Sequence, residues 1–225
     1  MKRIQLIFTL IGLAWGFSAY AQIGADPEER PRARGRVPNN SRYSSGSATV
    51  FYGVGFPTSS QQSYIDKMGT RNFALAIEAD FPGHLSLGGR IGHQYTSDRL
   101  PRQVISLGDG SDVSAVQTRT LTLVPLMAIG SYHLTERNAP FRPYVQLGAG
   151  GAYVDYTTYY GSLADQKTGV RAAVAPAVGA KFLFGRNSNL GAEIQAQYQH
   201  VFFNYNELKN SGNVLVSVGL SYHWW

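Results

Sequence analysis

The stretch NVLVSVGLSYHWW, residues 213–225, alternates with a period of two. Val214, Val216, Val218, Leu220, Tyr222 and Trp224 make one wholly apolar and aromatic face, while Ser217, Gly219, Ser221 and His223 stand between them. Successive side chains of a β-strand point to opposite sides, so this pattern marks a strand with one greasy face. A soluble sheet has to cover such a face with more protein, whereas a bilayer covers it with lipid. The segment reads as the closing strand of a transmembrane β-barrel.

The opposite end predicts export. Lys2 and Arg3 precede a mostly apolar stretch over residues 4–17, and Ser18-Ala19-Tyr20-Ala21 supplies the small-x-small pattern of a signal-peptidase site. Residues 1–21 therefore read as a cleaved signal peptide, the apolar stretch being short for a membrane helix. The chain has no cysteine, which excludes disulfides, thiol chemistry and lipid attachment at a thiol. Beyond the leader no apolar run reaches the roughly 18 residues a transmembrane helix needs. The 25 Gly, 14 Tyr, 11 Phe and 3 Trp, against 15% charged residues, suit curved strands and aromatic girdles. Part of the net charge of +6 comes from Arg30, Arg32, Arg34 and Arg36, among Pro27, Pro31 and Pro38. Residues 22–46 thus read as a flexible segment, either a solvated linker or an arm for acidic headgroups. An exported chain meets no nucleic acid, so none is expected as partner.

From residue 47 onward eight extended segments follow, making residues 47–225 the barrel. Segment 47–56 puts Ala48, Val50, Tyr52, Val54 and Phe56 on one face. Segment 71–81 sets Phe73, Leu75, Ile77, Ala79 and Phe81 against Asn72, Glu78 and Asp80, and 84–95 sets Leu85, Leu87, Ile91 and Tyr95 against Ser86, Arg90 and Gln94. Segment 116–134 is apolar on both faces, so its facing stays open, and 141–156 is glycine-rich. Segment 170–184 sets Val174, Pro176, Val178, Phe182 and Phe184 against Arg171, Gly179 and Lys181. Segment 189–202 sets Leu190, Ala192, Ile194, Ala196 and Tyr198 against Glu193, Gln195, Gln197 and Gln199.

Long polar connections (57–70, 96–115, 157–169, 203–212) alternate with short ones (82–83, 135–140, 185–188). In outer-membrane barrels long loops face outward and short turns face the periplasm, which places both termini in the periplasm of a Gram-negative bacterium. Backbone groups in lipid must all be paired, so the first and last strands are expected to pair and close an eight-strand antiparallel ring. Eight strands leave a lumen just wide enough for side chains to fill. The inward set would be Glu78, Asp80, Arg90, Arg171, Lys181, Glu193, Gln195, Gln197 and Gln199, with Lys181 opposite Glu193. Such a network is either an ion-paired plug or a gated polar path for small solutes.

The segments 120–134 (TLTLVPLMAIGSYHL) and 141–154 (FRPYVQLGAGGAYV) resemble the OmpW-like and OmpA/OmpX-like small outer-membrane barrels, which pair a proline-bearing strand with an "RPY-V-x-x-G-x-G" strand. Ser217, Gly219, Tyr222 and Trp224 are similar to that family's assembly signal, so the resemblance implies the barrel-assembly machinery as a partner. It departs from the pattern in Trp225 and in the Arg/Pro arm. Outer-membrane lipid and lipopolysaccharide are the expected surroundings, and a monomer the expected state.

Three functional classes remain: a structural barrel or narrow conduit for small or hydrophobic solutes; a surface protein that binds through its long loops; and a lipid A-modifying enzyme. An enzyme needs a nucleophile and a base together. His200 has no Ser or Thr beside it and Ser211 lies far along a loop, while His93, His133 and His223 lack a nearby serine with a neighbouring acid. Tyr156, Tyr159, Tyr160, Phe202, Phe203 and Tyr205 suit an interfacial girdle better than a recognition surface. The Gly148–Gly151 cluster sits in a strand with no helix after it, which speaks against phosphate binding. Asp109 and Asp112 are too few for Ca²⁺. The histidines show no metal-ligand spacing, and no cofactor is expected.

Overall fold

Each alternating segment has one face that lipid can cover and one that it cannot, and a ring of such strands sorts the two faces. In the computed structural model the described residues are 45–224, apart from 59, 108–110, 137–138, 162, 185–187 and 207, with no side chain described at 60, 103–107 and 111–115. The elements are β1 (Ser45–Thr58), α1 (Ser60–Tyr64), β2 (Gly69–Asp80), β3 (Leu85–Leu107), β4 (Ser111–His133), β5 (Phe141–Tyr160), β6 (Leu163–Leu183), β7 (Leu190–Tyr205) and β8 (Leu208–Trp224). The strands pair in chain order, all antiparallel, into a closed eight-strand barrel. Closure falls where lipid demands it: β1 pairs with β8 from Gly46↔Trp224 to Thr58↔Gly212, leaving no free edge in hydrocarbon.

The expected outward faces are outward. Val50, Phe73, Ile77, Leu87, Leu147, Val178, Ile194, Val218 and Leu220 are all exposed, and Leu220 is 68% exposed. No helix among the described residues is long and apolar enough to cross a membrane. Along β3 the apolar outward face runs from Leu85 to Tyr95; at about 3.3 Å per residue and a tilt near 40° that spans about 25 Å, the height of a barrel's lipid band. Tyr222 and Trp224 mark one margin of the band, Tyr52, Phe73 and Tyr153 the other.

The ambiguous strand resolves. In β4, Leu121, Leu123, Met127, Ile129, Ser131 and His133 are buried inside, while Leu126 and Tyr132 face outward. Its proline sits at a gap in the ladder: the β3–β4 register runs to Ile91↔Leu126 and resumes at Gln94↔Leu123. Pro125 has no N–H to offer there, and a Cβ on Gly92 would lie 3.2 Å from its ring, so glycine makes the room. Pro176 of β6 stands at a similar gap, between Val174↔His200 and Ala177↔Gln197. The short turn at 82–83 rests on Gly83, whose φ of 104° suits only glycine.

Three expectations about the connections need correction. Residues 96–115, 157–169 and 203–212 read as polar loops, yet the ladder continues through most of them, to Leu107↔Ser111, Tyr160↔Leu163 and Tyr205↔Leu208. Above the bilayer the outward face of a strand meets water instead of lipid, so polarity stops marking the two faces while hydrogen-bonded pairing goes on. The connection 57–70 holds the short helix α1. The leader and the Arg/Pro segment lie outside the described residues, except that Ser45 and Gly46 already belong to β1, two residues before the expected start of the barrel. Asp109 also lies outside them; Asp112 is paired with Ser106 in the β3–β4 ladder.

Candidate functional site

Inward-pointing residues fill the barrel in three layers. The first, toward the short turns, is ionic. Lys181 reaches across from β6 to form an ion pair with Glu78 of β2, both at most 4% exposed. The Glu78 carboxylate also accepts hydrogen bonds from Ser131 Oγ (2.8 Å) and Gln146 Nε2 (3.0 Å). Lys181 and Glu193 are register partners as expected, but the lysine turns to Glu78, and Glu193 instead accepts from Tyr144 Oη (2.5 Å) and Thr49 Oγ1 (3.0 Å). Arg90 donates to Gln195 Oε1 and lies 4.8 Å from the Phe51 ring centroid. Gln195 Nε2 in turn donates to Tyr144 Oη (3.0 Å) and Gln146 Oε1 (2.8 Å). Asp80 stands 3.6 Å from Arg142 and accepts from Ser45 Oγ at 3.3 Å.

The middle layer mixes the apolar Phe51, Ala76, Met127, Ile129 and Ala175 with amides. Gln94 Nε2 donates to Gln199 Oε1 at 2.6 Å. A cavity of about 20 Å³ remains among Arg90, Gln94, Gln197, Gln199 and Ser217, room for about one water. Gln197 Oε1, Gln199 Nε2 and Ser217 Oγ, which have no protein partner, border it.

The third layer is an apolar plug inside the hairpin end: Tyr64, Ile65, Leu121, Leu123, Ala152, Val154, Tyr156, Ala173, Val201, Phe203 and Leu208. The helix α1 caps it. Tyr64 stacks on Tyr156 at 4.4 Å and its hydroxyl donates to Thr157 O at 3.0 Å. Ser211 Oγ donates to Gln61 Oε1 at 2.6 Å, and Arg119 donates to Tyr64 O at 2.9 Å. Burial pushes the Tyr64 phenol well above its ordinary range.

Eight of the nine expected lumen residues are therefore buried inside: Glu78, Asp80, Arg90, Lys181, Glu193, Gln195, Gln197 and Gln199. Arg171 is the correction. It is exposed, above the polar layers, with its guanidinium 5.9 Å from the Phe203 ring. The girdle reading of the aromatic cluster also divides: Tyr159 and Phe202 face outward, but Tyr156 and Phe203 are at most 3% exposed and build the plug. Period-two alternation persists past the membrane margin, so every second aromatic turns inward. Tyr64 is not legible in the sequence, because only the folding-back of 60–64 brings it to the mouth, where Arg119 of β4 meets its carbonyl.

No nucleophile–base pair is assembled at His200. The register pairs His200↔Gly212 and Val201↔Ser211 put His200 on the outer face, edge-on to Phe202 at 4.8 Å, and Ser211 inside. At the turn end the fold does bring Ser86 Oγ within 3.0 Å of His133 Nε2, with Asp80 3.9 Å from the same nitrogen. An orienting acid belongs on the other ring nitrogen, and this histidine is 1% exposed, so the group is structural. Among the described residues no cluster of His, Asp or Glu could hold a metal ion.

No family model matches the chain, and no curated protein matches it. Solved structures do. One is the attachment invasion locus protein Ail of Yersinia pestis, solved in complex with the heparin analogue sucrose octasulfate: 15% identity, 80% of this chain and 99% of that chain, TM-score 0.50. Another is Neisserial surface protein A, with 11% identity, 80% of this chain, 96% of that chain and a TM-score of 0.50. The chain thus has the fold of the small eight-stranded β-barrels of bacterial outer membranes.

Proposed function

We propose that this barrel is closed to solutes and acts at the cell surface, anchoring hairpins that bind material outside the cell. The observation that carries this reading is the packing of the lumen among the described residues: ion pairs, amides and an apolar plug follow one another along it, with a cavity of about 20 Å³ among the amides. A conduit would need those layers to part. The taller wall lies on the hairpin side, where β3 to β6 outrun the lipid band and α1 seals the mouth. The similar barrel Ail has been solved with a heparin analogue, so this fold can present a ligand-binding surface. In this reading both termini are periplasmic, and Ser217, Gly219, Tyr222 and Trp224 present the strand to the assembly machinery. Tyr222 and Trp224 lie outward at the lipid margin and Ser217 and Gly219 inward.

The chain has no cysteine, which makes the test clean. Cells of a non-adherent Gram-negative host carrying Leu163→Cys should react with an impermeant maleimide, and cells carrying Glu136→Cys should not. Expression should also raise adhesion of that host to other cells or to matrix. Labelling of Glu136→Cys alone, or no gain in adhesion to any surface, would overturn the reading.

A further inference from the structure

Four aromatic rings form one contiguous floor beneath the hairpin-end mouth. Tyr64 stacks on Tyr156, Tyr156 meets Tyr205 at 5.4 Å and Phe203 at 6.3 Å, and Phe203 meets Tyr205 at 6.4 Å. Three cations stand over three different rings of that floor: Arg119 over Tyr64 at 5.2 Å, Lys167 over Tyr205 at 5.6 Å and Arg171 over Phe203 at 5.9 Å. Arg119 is engaged with the carbonyl of Tyr64, but Lys167 and Arg171 are exposed.

Lys167 and Arg171 are two pleats apart on the same face of β6, about 13 Å along the strand. Between them is Gly169, where an added Cβ would meet nothing nearer than Arg171 Nε at 4.0 Å. The two cations therefore flank a bare backbone shelf. The nearby carboxylate, Asp165, accepts hydrogen bonds from Tyr205 Oη (2.9 Å) and Asn206 Nδ2 (2.8 Å), which tie it into the wall. Gln62 and Ser63 of α1 are exposed.

We propose that this shelf binds a sulfated or phosphorylated saccharide from outside the cell, with Lys167 and Arg171 pairing with two of its anionic groups. The inference rests on the surface-recognition reading above and names its ligand class and site. Rings beneath the cations hold them in place, so less side-chain freedom is lost on binding. A guanidinium matches the geometry of sulfate and phosphate oxygens, and an ammonium serves as a point charge. The bare shelf accepts one face of a sugar ring, which a side chain at 169 would displace. The shelf faces the barrel axis above the plug rather than the lipid band, which favours a saccharide arriving from outside over a phospholipid headgroup.

The test uses the full folded chain in detergent and immobilised dextran sulfate, with neutral dextran, poly-glutamate and anionic phospholipid vesicles as the other probes. Wild type should bind dextran sulfate in a salt-sensitive way and neutral dextran not at all. Lys167→Gln/Arg171→Gln should weaken binding at least about tenfold, the loss expected for a charge-assisted hydrogen bond. Gly169→Leu, which keeps both charges but fills the shelf, should weaken it similarly. The control Lys67→Gln/Arg71→Gln removes two cations elsewhere and should change little. Equal losses in the control, retention by Gly169→Leu, or equal affinity for poly-glutamate or vesicles would overturn the proposal. Undiminished cell adhesion in the shelf variants would sink this site while leaving surface recognition standing; no gain in adhesion from wild type would sink both.

Discussion

Lys181 and Glu78 lie 103 residues apart in the chain and meet inside the barrel as a buried ion pair. Neither can be left alone there without a charge uncompensated in a dry interior. Lys181→Met should therefore cost about 3 to 5 kcal/mol, and adding Glu78→Leu should return most of it, because a packed apolar pair can replace a buried ion pair. Urea unfolding in detergent measures both. A single variant as stable as wild type would contradict the network.

Gly179 backs onto the same network. A Cβ there would stand 2.5 Å from Tyr144 Oη and 2.6 Å from Ile194 O. Gly179→Ala should push Tyr144 off Glu193 and cost about 1 to 3 kcal/mol by overpacking. The temperature at which the folded band is lost on a gel should fall; an unchanged temperature would show that the ring has room to move.

The plug should behave as a pH-sensitive part only in alkali. Burial raises the Tyr64 phenol, so the neutral form is the one packed against Tyr156. A raised acid contributes its stability in full below its ordinary pKa of about 10, and that contribution falls as pH rises beyond it, because a released segment can ionise. The stability difference between wild type and Tyr64→Phe should stay flat from about pH 6 to 9 and shrink above about pH 10. A difference that changes near neutrality would contradict the burial of this residue.

Trp224 lies at the lipid margin, 40% exposed, and its indole occupies the space a Cβ on Gly46 would need. Trp224→Ala should slow assembly of the barrel in cells and in vesicles containing the assembly machinery, while spontaneous folding into detergent changes less. Equal slowing in both would mean that the residue acts through packing alone.

The alternation in 71–81, 84–95 and 213–225 was enough to sort lipid face from lumen, because a bilayer imposes its preference on every second residue. The lumen charges followed from the same parity, down to the register of Lys181 with Glu193. What the charges do with one another did not follow. Lys181 has a choice between Glu193 beside it and Glu78 across the lumen, and that choice depends on distances between strands far apart in the chain. Beyond the lipid margin parity still holds but polarity no longer reports it, so Phe203 and Tyr156 looked like girdle residues and Arg171 like a lumen charge. The mouth was illegible for a further reason: Tyr64 reaches Tyr156 only because α1 folds back over the barrel, a packing event that no local pattern announces.

Current across a planar bilayer tests most directly whether the lumen is closed. The folded protein should pass no current above the bare bilayer at any voltage the membrane withstands, and Tyr64→Ala, which opens only the outer plug, should leave it silent because the ionic layer still blocks the path. Stable, discrete current steps from wild type would contradict the account.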